Sequence, residues 1–156
     1  MRVAAIRGAV QAENDADVIL SATEELIREI ISVNDLEPDR MISAIFTTTE
    51  DLDAEFPAAA ARRMGLNEVP LMCAREIPVP GAMPGVIRVM LHTYLPAGAK
   101  ARHVYLGETR NLRADLDAAR EVAGGDRPEL GVDAAQRGQQ RRRHGVAQRH
   151  RQQYAG

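Results

Sequence analysis

Five arginines set the chemical question in this sequence. Arg7, Arg62, Arg63, Arg88 and Arg113 fall near the ends of expected strands or short helices, and Cys73, Glu76 and Tyr105 stand beside them. A guanidinium keeps its proton in a protein and presents a planar fork of donors that matches a carboxylate in a bidentate way. Several such forks converging on one pocket would suit a small dianionic ligand. Taken singly, each arginine is equally well explained as a structural ion-pair partner or as a side chain whose stem covers apolar surface. Arg88 is the hardest to explain away. It interrupts the apolar run "GVIRVMLHTYL", Gly85 to Leu95. By strand periodicity it shares a face with Met90, while Ile87, Val89 and Leu91 take the other. Both faces are therefore largely apolar around it, and burying an unpaired guanidinium is very costly. The expected partner is an anion brought by a ligand.

Other chemistries lack their residues. The histidines, at positions 92, 103, 144 and 150, never fall in ligand spacing with carboxylates, so no metal site is expected. There is no Gly-rich phosphate loop and no G-x-S-x-G elbow, and "GAMPG" lacks the following helix and lysine of a phosphate cradle. Cys73 has a plain reading as a buried apolar thiol. Tyr105 has a rival reading as a core residue with a satisfied hydroxyl, and His92 and His103 read as structural. Cys73 and Glu76 are three apart, which in a regular strand puts them on opposite faces. They line one site only if the strand twists, bulges or ends before Glu76, and Pro78 favours an early end.

These residues need a scaffold. "RVAAIRGAV" at 2–10 predicts a first strand, ended by Gly8. Helical spacing follows, with Ile19, Ala22, Leu26, Ile30 and Val33 on one stripe. Asn14 is the expected N-cap, Asn34 the left-handed stop, and Pro38 prevents continuation. "RMISAIFTTTE" predicts a second strand. Pro57 suits the first position of a second, shorter helix that Gly65 ends. "VPLMCAREIPV" is a short third strand stopped by Pro78 and Pro80, "VIRVMLHTYL" a fourth and "ARHVYLGE" a fifth. "NLRADL" follows. Five strands under one long amphipathic helix make an α+β or α/β sandwich. One helix covers only part of such a sheet, so the rest of the apolar surface predicts an oligomer with sheets packed on each other.

The totals agree with one domain: 156 residues, 45% hydrophobic but only 3% aromatic, with no tryptophan. The core must be aliphatic. The single cysteine excludes an intramolecular disulfide. "MRVAAIRGAV" is interrupted by Arg7 too early for a signal peptide, and no run reaches transmembrane length, so a cytoplasmic protein without a membrane partner is expected. The net charge of −2 hides an asymmetry. Gln136 to Gly156 holds six arginines, six glutamines and no acidic residue, which leaves a net charge of −8 in the first 135 residues. That segment has almost nothing to bury and reads as a disordered extension. The expected organisation is a domain at 1–118 and an Arg/Gln-rich extension at 119–156. A role for that arm on nucleic acid is disfavoured, because Tyr154 is its one aromatic residue.

Six short blocks occur in one order: "AIRGA" at 5–9, "FPAAAAR" at 56–62, "VPLMCAREI" at 69–77, "VIRVMLH" at 86–92, "RHVYL" at 102–106 and "LRADL" at 112–116. Together they resemble the monofunctional chorismate mutases of the AroH class. The resemblance implies a five-stranded mixed sheet packed by one long amphipathic helix. It also implies a homotrimeric, barrel-like assembly with active sites at the subunit interfaces. The implied activity is the Claisen rearrangement of chorismate to prephenate, on the route to phenylalanine and tyrosine, without cofactor or metal. By block, Arg7 and Arg62 would contact substrate carboxylates. Arg88 would reach the ether oxygen and a carboxylate, and Cys73 and Glu76 would approach the ring hydroxyl. Tyr105, Phe56 and Leu112 would line the pocket, and Arg113 would belong to a segment closing it.

The chain departs from that pattern in places. Ala59 stands where a lysine is usual, and Arg63 is a candidate replacement, although helical geometry turns it about 100° from Arg62. Ala114 replaces a proline, which predicts a looser closing segment, and the C-terminal extension has no counterpart in the pattern. Two alternatives stand beside the mutase: a trimeric enzyme of the imine-deaminase group, in which an arginine also holds a carboxylate, and a non-catalytic small-anion-binding protein.

Overall fold

The computed structural model describes residues 1–112. The expected extension at 119–156, the domain boundary before it, Arg113 and Ala114 lie outside the described residues.

The chain begins with β1 (Arg2–Gln11), followed by helix α1 (Ala16–Asn34) and a 3₁₀ turn at Pro38–Arg40. Strand β2 (Met41–Thr48), helix α2 (Ala58–Arg63) and strand β3 (Leu71–Arg75) come next. Strands β4 (Val86–Leu95) and β5 (Val104–Tyr105) complete the sheet, and a 3₁₀ turn occupies Gly107–Thr109. The five strands form one mixed sheet in the order β3-β2-β4-β1-β5. β4 runs antiparallel to both β1 and β2, while β3 is parallel to β2 and β5 parallel to β1. The crossover β1-α1-β2 thus leaves a gap that β4 later fills.

Alternation along the strands decides which face the helices cover. Ala4, Ile6 and Val10 of β1 are buried, as are Ala44 and Phe46 of β2 and Ile87, Val89 and Leu91 of β4. Against them pack Ile19, Leu26, Ile27 and Ile30 of α1 and Ala58 and Ala61 of α2 in one aliphatic core. The helical stripe is therefore as the spacing predicts, except that Ala22 and Val33 lie partly buried at its margin.

The helix ends differ by one residue from expectation. Asp15 is the N-cap, accepting from the Asp17 and Val18 backbone N–H groups. Asn14 instead accepts from the Asp53 and Ala54 N–H groups and donates to the Asp53 carboxylate, so it joins α1 to the chain leading into α2. Asp35, not Asn34, takes the left-handed conformation at φ 49°. Asn34 stays helical and reaches across to Arg102, accepting from its N–H and donating to its carbonyl. Both asparagines bond distant chain, and Asn34 also donates to the Ile30 carbonyl one turn back.

Gly8 does not end β1, which runs through it to Gln11. The glycine serves close packing: a Cβ there would lie 2.7 Å from Ile30 Cδ1 and 3.0 Å from Leu26 Cδ1. The absent side chain lets α1 seat directly on β1. The fifth strand is shorter than "ARHVYLGE" predicts, pairing only at Val104 and Tyr105 against Gly8 and Ala9. β3 is likewise shorter, since Pro70 precedes it and the paired segment ends at Arg75.

The other face of the sheet carries no helix among the described residues. Val3, Ala5 and Arg7 of β1, Met72 of β3 and Tyr94 of β4 are exposed on it, and Ile45, Met90 and His92 are half-buried. Among the described residues, no helix is long and apolar enough to cross a membrane.

Candidate active site

An open cleft of about 420 Å³ lies on this uncovered face, lined by Arg7, Gly8, Ile45, Thr47, Arg88, Val89, Met90, Tyr105 and Leu112. That is within the usual size range of small-molecule sites, roughly 300–1,000 Å³. Four strands build it. Sheet register places Thr47 of β2 opposite Arg88 of β4, and Arg7 of β1 opposite Met90 of β4. Two cations and a threonine hydroxyl thus stand on neighbouring strands of one face because all occupy the same parity. β5 adds Tyr105, and Leu112 completes the wall.

Arg88 has a partner within the chain. Its Nη1 donates to Glu76 Oε2 at 2.8 Å. The sequence-based expectation that a ligand supplies the sole anion is corrected here. Nor is Arg88 fully buried: its side chain is 43% exposed, while that of Glu76 is 15% exposed. Arg88 lines the cleft, and among the described residues its side chain has no further hydrogen-bond partner. Glu76 lies just past the end of β3, where its N–H donates to the Thr48 carbonyl at 2.9 Å. Its other carboxylate oxygen accepts from Thr47 Oγ1 at 2.7 Å. It stands at the border with an adjoining hollow walled by Thr49–Asp51 and the proline-rich loop Ile77–Pro84.

Arg7 has no carboxylate partner among the described residues. Its backbone is held instead: the Arg7 N–H donates to His103 Nδ1 at 3.0 Å, which gives that histidine the structural part expected of it. The cleft therefore combines a cation without a carboxylate partner among the described residues, a cation tethered to a carboxylate, a phenol and apolar walls. Such a site can bind an anion and stabilise negative charge that grows on it.

The remaining expected residues are elsewhere in this chain. Cys73 pairs with Phe46 on the helix-covered face and is partly buried against the core, not fully buried as its plain reading expects. Glu76 falls on the opposite face, as period-2 geometry requires. Phe56 is 68% exposed ahead of α2, and Arg62 is exposed on α2 with no carboxylate partner among the described residues. Neither lines the cleft. Arg63 does not replace the missing cation at Ala59, because its Nε pairs with Glu24 Oε1 of α1 at 3.3 Å. That ion pair joins α2 to α1, and Arg28 pairs with the same Glu24 carboxylate from within α1. Thr47 was missed by sequence reasoning. The available signal was parity: Thr47 is the second residue from the end of β2, and alternation from buried Phe46 puts it on the face of Ile45.

Comparison with known proteins places this cleft in a family context. The family model for chorismate mutase type I matches residues 3–116. The chain is 46% identical over 121 residues to a curated relative, chorismate mutase AroH of Thermus thermophilus, covering 75% of this chain and 98% of that one. It is 37% identical over 126 residues to chorismate mutase AroH of Bacillus subtilis, covering 78% and 98% respectively. Among solved structures, a chorismate mutase from Clostridium thermocellum superposes with a TM-score of 0.67 at 47% identity, over 69% of this chain and 98% of that one.

Proposed function

We propose a mechanism that proceeds from one premise: the chain belongs to the chorismate mutase type I family. Its reaction is the rearrangement of chorismate to prephenate, and these comparisons favour neither the imine-deaminase nor the anion-binding alternative. The observation that carries the residue roles is the Thr47–Glu76–Arg88 chain beside Arg7 on one sheet face.

The rearrangement moves three electron pairs around a six-membered array. The ether C–O bond breaks, a C–C bond forms, and no proton is transferred. Breaking runs ahead of forming, so negative charge gathers on the ether oxygen and positive charge on the ring. A nucleophile or general base has no task in this step. A fixed guanidinium aimed at the oxygen has one, because it meets more charge in the transition state than in the ground state. Arg88 takes this role. Its Nη1 is tied to Glu76, and its other N–H groups face the cleft for the ether oxygen and a carboxylate. Glu76 accepts from the ring hydroxyl and sets its own negative charge near the ring that becomes positive. Arg7, with Tyr105 beside it, holds a substrate carboxylate, and Leu112 closes the apolar wall. Holding both carboxylates favours the compact reactive conformer and contributes through orientation.

Phe56, Arg62 and Cys73 then belong to a site they cannot reach within their own chain. We place them at the cleft of a neighbouring protomer in a homotrimer, with the uncovered sheet face turned inward. Support comes from that face: Val3, Met72 and Tyr94 are exposed at 57%, 60% and 45%. Large apolar side chains exposed on one sheet face suit an interaction surface. Arg113 follows Leu112 directly in the sequence and is proposed to bind substrate, although it lies outside the described residues. The family match ending at residue 116 supports a domain at 1–118, with 119–156 as an extension to it.

The test is direct. Purified protein added to chorismate should deplete its ultraviolet absorbance and yield a product that acid converts to phenylpyruvate. Absence of turnover at micromolar enzyme would sink the mechanism.

A further inference from the structure

Glu76 reaches the cleft from outside regular structure. β3 ends one residue before it, and among the described residues its backbone is tied by its N–H to the Thr48 carbonyl. A glutamate side chain loses considerable rotamer freedom when held in one place. Arg88 alone cannot supply the anchor, because its own side chain is long and 43% exposed. Two flexible groups that bond only each other drift together.

Thr47 differs from both. It lies on β2, which is paired on either side by β3 and β4. Its β-branched side chain is stiff at χ1. Its hydroxyl has one hydrogen to give, and that hydrogen goes to Glu76 Oε1 at 2.7 Å. Glu76 Oε2 in turn receives Arg88 Nη1 at 2.8 Å. Register also puts Thr47 directly opposite Arg88, so the three side chains close a compact loop over two adjacent strands.

We propose that Thr47 is a positioning residue for the rearrangement: it locks the Glu76 carboxylate to the sheet and, through Glu76, fixes the direction of the Arg88 guanidinium. This rests on the function given above. Steady-state kinetics on chorismate tests it. Thr47→Val keeps the shape and removes the donor, so kcat should fall about tenfold with KM within about twofold, in line with loss of a hydrogen bond to a charged group. Thr47→Ser, which retains the donor, should restore kcat to within about twofold of wild type. Because Thr47 acts through Glu76, the same Val substitution made in a Glu76→Ala background should cost nothing further. Should Thr47→Val fail to fold, Thr47→Ala removes the same hydroxyl without bulk and carries the same expectations. A wild-type kcat in the hydroxyl-free variant overturns the proposal, as does an undiminished tenfold loss without Glu76. A wild-type chain inactive on chorismate overturns the underlying function and this proposal with it. An active wild type with an unaffected Thr47→Val overturns this proposal alone.

Discussion

Arg88 meets its ligand with one nitrogen already committed. The 2.8 Å bond to Glu76 neutralises the guanidinium in the resting site and limits how it can turn. In the proposed mechanism that restraint is useful, because a donor fixed before the reaction costs no reorganisation during it. Arg88→Ala should lower kcat by at least about 10²-fold, the scale for losing one preorganised donor. Arg88→Lys should recover little of this loss, since a single ammonium cannot hold Glu76 and the ether oxygen as a planar fork does. Stopped assays at saturating chorismate measure both. At this scale the sequence was partly legible. An arginine inside an apolar strand announced itself, and Glu76 was a candidate. That the two bond each other was not, because they are twelve positions apart with a proline-rich loop between them. Thr47 carried no unusual feature in a run of three threonines, and its importance comes from facing Arg88 across two strands.

At the scale of elements, parity does most of the sorting. Arg7, Ile45, Thr47, Arg88 and Met90 share the uncovered face, while Cys73 goes to the core side with Phe46. The conflict between Cys73 and Glu76 was visible from their spacing, and its outcome followed the regular strand. Gly8 shows how a local rule can mislead. Glycine weakens strands, so it read as a stop, yet its position under α1 requires the missing side chain. Gly8→Ala should destabilise the fold by about 1–3 kcal/mol through overpacking against the fully buried Leu26 and Ile30. A lower urea midpoint with an unchanged slope would show it. If stability is unaffected, α1 has room to move away and the contact is looser than it stands.

For the whole molecule, the question is which chain completes which cleft. Phe56 and Arg62 sit beyond the cleft of their own chain, and the sheet face around the cleft is apolar. If neighbouring protomers complete the site, Arg88→Ala and Arg62→Ala damage different contributors. Arg62→Ala alone should lower kcat/KM at least about tenfold, mainly through KM. Unfolding the two variants together at equal amounts and refolding them should restore activity to about a quarter of wild type, because random assembly leaves that share of interfaces intact on both sides. No recovery in the mixture would place both residues in one protomer's site.

The sequence by itself determined the elements and their faces. Periodicity of 2 and 3.6, proline and glycine positions, and an aliphatic composition suffice for that, because they act over a few residues at a time. It also determined the family, through six blocks in order that the comparisons then matched over residues 3–116. Only the tertiary structure decided the strand order β3-β2-β4-β1-β5, which slots β4 between two earlier strands. That late insertion is what brings Arg88 between Thr47 and the β1 edge of the cleft, and lets Glu76 reach it. Pairing of residues far apart in the chain depends on which strands become neighbours, and no local spacing encodes that.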